Sequence, residues 1–260
     1  MIVSQNLLDE IDEKKELISE YPEYFLRRSN LVRTTLRRAC NVHSFWIEHP
    51  ELRTKLLRDF EAEDTSEFRA RANIGMVRIN DAWKYLKKVS GKSNELEYIS
   101  SRNILEVLSI VEPELNSGSF RHERVSMRLS GFTPPNHLSV PDLAEKFCYE
   151  VNDGDLHPVE VAAQCHLYIA AIQPGLDGNK RTGRLFQNTV LHNYDLPPAV
   201  IPVGERTTYI DLLEPAMASF RESDYRPQIP FCNYVAGKVN SALDYMIDDL
   251  RIPPKKHGRK

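Results

Sequence analysis

Glycine and cysteine are both scarce in this 260-residue chain, at 11 and four residues. Cys40, Cys148, Cys165 and Cys232 lie far apart and form no C-x-x-C pair. That excludes a zinc ribbon and a disulfide-stapled scaffold, and it makes a reducing, cytoplasmic setting the expectation. No apolar run approaches the ~18 residues that a membrane span needs. The opening residues 1–17 also lack the basic-then-apolar layout of a signal peptide. Excess charge of one sign is missing too: 34 Lys and Arg stand against 37 Asp and Glu, a formal net of −3. Neither a membrane nor a nucleic acid is therefore expected as a partner. Strand-like alternation is confined to one short segment, which excludes a large sheet. With 41% hydrophobic and 27% charged residues, the chain is nevertheless apolar enough, and long enough, to fold around a sizeable core.

What fills the chain is helical periodicity. Over residues 5–60, Leu7, Leu8, Ile11, Leu17, Ile18, Leu31, Leu36, Phe45 and Leu52 recur at spacings of three, four and seven, with charges between. Further helices are predicted over 67–88, 95–111, 142–151, 158–172, 180–194, 209–219 and 231–250. Arg27-Arg28 and Arg37-Arg38 read as solvated helix faces, and the basic tail 253–260 as a frayed end. Gly118-Ser119-Phe120-Arg121 and the alternating Val125-Ser126-Met127-Arg128-Leu129, closed by Gly131, predict a β-hairpin. The expected class is mainly α, a helical bundle with one short hairpin flap. It divides into a helical N-terminal region (1–114), a core carrying the flap and an anion-binding loop (115–235), and a C-terminal helix with its tail (236–260).

Scarce as glycine is, three of them fall within nine residues, in Gln173-Pro174-Gly175-Leu176-Asp177-Gly178-Asn179-Lys180-Arg181-Thr182-Gly183-Arg184. The helix before this segment ends at Pro174 and Gly175, and a new one starts at Asn179 or Lys180. Unpaired N–H groups and the dipole of that new helix favour an anion. Gly178 lets the backbone approach closely and Asn179 adds a side-chain donor. Lys180, Arg181 and Arg184 supply cations, and guanidinium groups grip phosphate oxygens in pairs. Asp177, the one carboxylate present, suits a magnesium ion, which often takes only one or two protein ligands. The physical reading is a polyphosphate site. It is neither a Walker loop nor G-x-G-x-x-G.

This segment resembles the signature of Fic-domain proteins, H-P-F-x-D/E-G-N-G-R-x-x-R, without gaps. The resemblance runs over about 115–235. It takes in the Gly118–Arg121 segment, the His157-Pro158 helix start and, downstream, Pro197-Pro198 and Tyr209. It implies a helical fold that transfers AMP from ATP to a protein hydroxyl. Asp177 would hold Mg²⁺, while Gly178, Asn179, Lys180, Arg181 and Arg184 cradle the nucleotide. The flap at about 119–131 would pin the protein target as an added strand. A homodimer is a further implied assembly, with no interface identified.

Three departures bear on activity. The signature histidine, the general base, is Gln173, and a neutral amide cannot take up the hydroxyl proton near pH 7. The signature phenylalanine is Gly175, which removes a packing ring and is expected to loosen the loop. The second signature glycine is Lys180, as in Doc, a relative that phosphorylates its target. His166 lies about 10 Å before Gln173 along the helix, too far to substitute, and reads as a packed histidine; His122 in the flap is the remaining alternative base. The inhibitory motif [S/T]-x-x-x-E-[G/N], whose Glu pairs with the second signature Arg, has no intact copy: Ser93–Tyr98 ends in Tyr and Thr65–Gly75 lacks the Glu. The expected function is a Fic-like protein that retains its nucleotide loop but lacks both base and brake, so that protein adenylylation is weak or absent. The alternatives are a transferase with altered, Doc-like chemistry and a non-enzymatic interaction protein.

Overall fold

A computed structural model describes residues 2–21, 30–58, 66–91, 96–126, 132–153, 155–222 and 225–252. Among them are ten α-helices: α1 (Gln5–Ser19), α2 (Asn30–Glu48), α3 (Pro50–Arg58), α4 (Ser66–Ser90), α5 (Ser101–Val111), α6 (Val140–Asp153), α7 (Pro158–Ile172), α8 (Asn179–Asn193), α9 (Arg206–Ala218) and α10 (Ile229–Leu250).

The centre is the α7–α8 pair. Pro158 occupies the first turn of α7, where its missing N–H costs nothing, and the His157 side chain accepts from the Val159 N–H at 3.2 Å. Val159 through Ala163 and Leu167 through Ile172, apart from Tyr168, are buried, so α7 is apolar on almost every side and must lie inside. α10 covers one side of it and carries α1 on its own outer face, while α4 and α5 pack against α8. α8 is unusual. Nearly all of it is buried, yet its inward residues include Asn179, Arg181, Thr182, Arg184, Gln187 and Asn188. Burying polar groups is costly unless each finds a partner, so a polar helix in the core is built around something other than packing.

Two expectations change. Residues 96–98 form a turn, and α5 starts only at Ser101, because the Ser100 hydroxyl caps it by accepting from the Asn103 N–H at 3.3 Å. The hairpin is not formed by 118–126, which run as irregular chain, and 127–131 lie outside the described residues. Arg121 is the reason. Its backbone N–H donates to Pro174 O at 2.9 Å. Its guanidinium donates to the carbonyls of Gln173 (2.7 Å), Glu123 (2.7 Å) and Pro135 (2.6 Å). This segment is fastened by one buried side chain, not by a strand ladder.

Candidate functional site

Gln173 ends α7 in the left-handed conformation, with φ of 51°. Gly178 (φ 82°) then caps α8 in a conformation that only glycine adopts without strain; a Cβ there would also lie 3.3 Å from Val111. The N–H groups of Asn179, Lys180 and Arg181 are left without an acceptor among the described residues. They open into a cleft of about 770 Å³ that reaches across to Glu48, Arg71 and Arg206.

The space left by the missing signature ring at Gly175 is filled. The Asn116 side chain takes the space in front of it. Its Oδ1 accepts from the Leu176 N–H at 2.9 Å, and its Nδ2 donates to Asp177 O at 3.1 Å and to Glu112 O at 3.1 Å. A Cβ on residue 175 would sit 2.5 Å from that Oδ1. Gly175→Phe is therefore expected to lower the melting temperature, by about 1–3 kcal/mol of overpacking. Pairing it with Asn116→Gly should recover part of the loss; equal melting of single and double variants would refute the exchange.

The Asn179 side chain faces the loop and not the cleft. Its Nδ2 donates to Gln173 Oε1 and to Gly175 O, both at 3.0 Å, and its Oδ1 accepts from the Gly175 N–H at 2.8 Å. Gln173 is only 8% exposed. Its Nε2 donates to Ala170 O at 2.5 Å while its Oε1 accepts from Asn179. The amide at the signature-histidine position is thus spent on holding the turn. Asp177 is exposed, and its Oδ1 accepts from the Gly178 N–H at 2.5 Å.

The three cations are brought together, but each is engaged by a carboxylate. Arg184 Nη2 donates to Glu48 Oε1 at 2.8 Å, and Lys180 Nζ lies 2.9 Å from Glu48 Oε2. Arg181 Nη2 meets Glu112 at 2.8 Å and Asp177 at 3.5 Å. Ser44 completes the grip on Arg184, its Oγ accepting from Nε at 2.8 Å and its carbonyl from Nη2 at 3.1 Å. Burial alone would push the Glu48 carboxyl up; the charges of Lys180 and Arg184 outweigh it and hold the group well below the ordinary range.

The inhibitory motif, expected to have no intact copy, has a near match on α2. Ser44-Phe45-Trp46-Ile47-Glu48 satisfies [S/T]-x-x-x-E, and only the last position departs, with His49 where Gly or Asn is expected. That serine and glutamate both contact the second signature arginine. Glu112 had no sequence signal.

His166 is fully buried, as expected of a packed histidine. Burial, with Arg184 nearby, lowers its pKa to about 3, so the ring is neutral. Arg184 Nη1 donates to the Tyr209 hydroxyl (2.9 Å), that hydroxyl faces His166 Nε2 (3.0 Å), and Nδ1 faces Gln187 Oε1 (2.8 Å). The neutral ring donates from Nδ1 and accepts at Nε2. This chain of bonds orients Arg184 from beneath. His122 is exposed.

Comparison with known proteins agrees with this geometry. The Fic/DOC family matches residues 93–191. Protein adenylyltransferase Fic of Drosophila mojavensis is 33% identical over 166 residues, covering 61% of this chain and 31% of that protein. The Drosophila grimshawi protein of the same name is 35% identical over 153 residues, 56% and 30% of the two. The chain thus spans under a third of these curated relatives. Among solved structures, a Fic-domain-containing signalling protein from Bacteroides thetaiotaomicron superposes with a TM-score of 0.71 at 21% identity, over 96% of this chain and all of that one. Fic-1 from C. elegans (residues 134–508) gives 0.70 at 21% identity, over 95% and 72%. Matched from just before α5 into the last turn of α8, and sharing its helical fold with these structures, the chain carries a Fic domain over that region.

Proposed function

We propose that the cleft at the start of α8 binds ATP or a related nucleotide, and that the chain, left in its natural sequence, transfers AMP to protein hydroxyls weakly or not at all. The phosphates would lie on the free N–H groups of Asn179, Lys180 and Arg181, against Gly178, with Arg181 and Arg184 as the main cations. The Asp177 carboxylate, exposed toward the cleft, suits Mg²⁺ in the usual manner of one protein carboxylate plus phosphate oxygens. When bound, that ion would neutralise phosphate charge. Val125 and Ser126 border the cleft, and the flap at about 119–131 would present the target protein.

Glu48 opposes this binding, because a phosphate chain must displace it from Arg184 and Lys180. The single observation that carries the reading of weak transfer is the engagement of Gln173. Its amide is hydrogen-bonded at both ends inside the turn and has no basic atom to offer a hydroxyl.

The test is calorimetry with ATP and Mg²⁺. Glu48→Gly is expected to tighten binding by about tenfold or more, since a charge-assisted contact to a buried guanidinium is freed for phosphate. Arg181→Ala in the same background should weaken it by a similar factor. No heat of binding for Glu48→Gly at millimolar ATP would reject the nucleotide reading.

A further inference from the structure

A second cleft, of about 630 Å³, opens between α2, α4 and the far half of α8. Arg33, Arg37 and Arg38 line it from α2, and Lys84 and Lys87 from α4. Asn188 and His192 close it from α8, and Trp83 sits between. Among the described residues no carboxylate lines it. Lys84 reaches out to Asp81 at 2.8 Å. Arg33 donates to the Asp195 carbonyl at 2.8 Å.

Arg37 is the telling residue, because its position in Arg37-Arg38 predicts a solvated face. Instead it is half-buried. Its Nη1 donates to Asn80 Oδ1 at 3.2 Å, and its guanidinium lies 5.8 Å from the Trp83 ring centre. His192 packs on the same indole, with ring centres 5.6 Å apart. Burial, and then Lys87 and Arg33, outweigh Asp195 and disfavour a charge on His192; burial and Arg38 act likewise on Arg37. Asp195 acts on Arg33 and His192 at one end of the cleft; the cations crowded along the rest of the concavity, Arg37, Arg38 and Lys87, repel one another, and an arriving anion relieves that repulsion. The volume is that of a small-molecule site.

We propose that this cleft binds a phosphorylated small molecule of nucleotide size carrying at least two negative charges, held by Arg37, Arg38 and Lys87 with Asn80 and Asn188 as polar contacts. The site is separate from the loop of α8. On α2, Arg37 and Glu48 are eleven residues, about 16 Å, apart.

Trp83 reports on it directly. The chain has two tryptophans, so Trp46→Phe leaves Trp83 alone. Titrating that protein with pyrophosphate, and separately with AMP, should give a saturable fluorescence change with Kd below about 1 mM. Arg37→Ala and Lys87→Ala should each weaken it about tenfold, the usual size of one charged contact. Arg181→Ala, which removes a cation from the other cleft, should leave this titration unchanged. Calorimetry with pyrophosphate on Lys87→Ala, an exposed position, repeats the test without relying on the indole. Three results would overturn the assignment: no saturation by about 10 mM, loss of the signal in Arg181→Ala but not in Arg37→Ala, or citrate binding as tightly as pyrophosphate.

Discussion

Placing histidine at residue 173 in a chain that also carries Glu48→Gly is expected to raise AMP transfer to protein by about 10²–10⁴ over Glu48→Gly alone, the usual range for a general base. The label from α-labelled ATP, followed into protein, measures it. Both changes are required, for separate reasons. Gln173 sits at φ 51°, a left-handed position that histidine occupies more readily than most side chains, so the backbone need not move. Its neighbour Asn179 keeps two other contacts, to Gly175 N and Gly175 O, when the Gln173 acceptor is lost. The turn is therefore expected to survive the exchange. Gln173→His alone should gain little, because Glu48 still occupies Arg184 and Lys180 where the phosphates would lie. Glu48→Gly alone should bind nucleotide and transfer little, since no group takes the proton. A double variant that binds ATP tightly yet transfers no AMP would shift the defect from the lost base to Lys180 or Gly175.

The loop itself was legible in the sequence for a physical reason. Glycine is rare here, and a cluster of it between two well-formed helix patterns has few structural meanings. Residues 173–184 are continuous in the chain, so their types and spacing already contain the site. What opposes the site is not continuous. Glu48 reaches Arg184 across 136 positions, and its motif is spoiled only at His49, so no local pattern announces the pair. Asn116 was hidden in the same way. Only the fold shows that its amide fills the space before Gly175, which turns an apparent loss of packing into an exchange of an aromatic ring for hydrogen bonds. The alternation over 125–129 records which residues could face a core, not whether a partner strand exists, and of it only Val125 and Ser126 are described, as irregular chain. With Arg121 tying the segment to the carbonyls of Gln173 and Pro135, the described part needs no ladder. Arg37 read as solvated because charge patterns along one helix cannot reveal the indole that a second helix brings beneath them.

Glu48→Gln should act in opposite directions on stability and on ligand binding, which separates a brake from an ordinary structural ion pair. Glu48 is 15% exposed and Arg184 5% exposed, so the variant leaves a buried guanidinium short of its countercharge. Breaking such a pair from one side costs about 3 kcal/mol or more, and in a chain of this size that corresponds to a fall in melting temperature of about 10 °C at pH 7. The pH dependence follows from the direction of the Glu48 shift. Its carboxyl is held below the ordinary 4.5 by Lys180 and Arg184 against the opposing effect of burial. Its contribution is therefore complete above that value and is lost as pH falls below it toward the folded-state pKa. The gap in melting temperature between wild type and Glu48→Gln should then be widest near neutrality and shrink progressively below pH 4.5. His166 adds a loss of its own, on which Glu48 is a minor influence. The ring's pKa, lowered to about 3 from 6.5, costs stability as pH falls below 6.5, and it does so in both proteins. ATP with Mg²⁺ should restore more stability to the variant than to wild type, because phosphate returns the countercharge that the glutamate supplied and need no longer displace it. A gap that stays constant from pH 7 to 3, or equal stabilisation of both proteins by ATP, would mean that Glu48 is not the group competing with phosphate for Arg184.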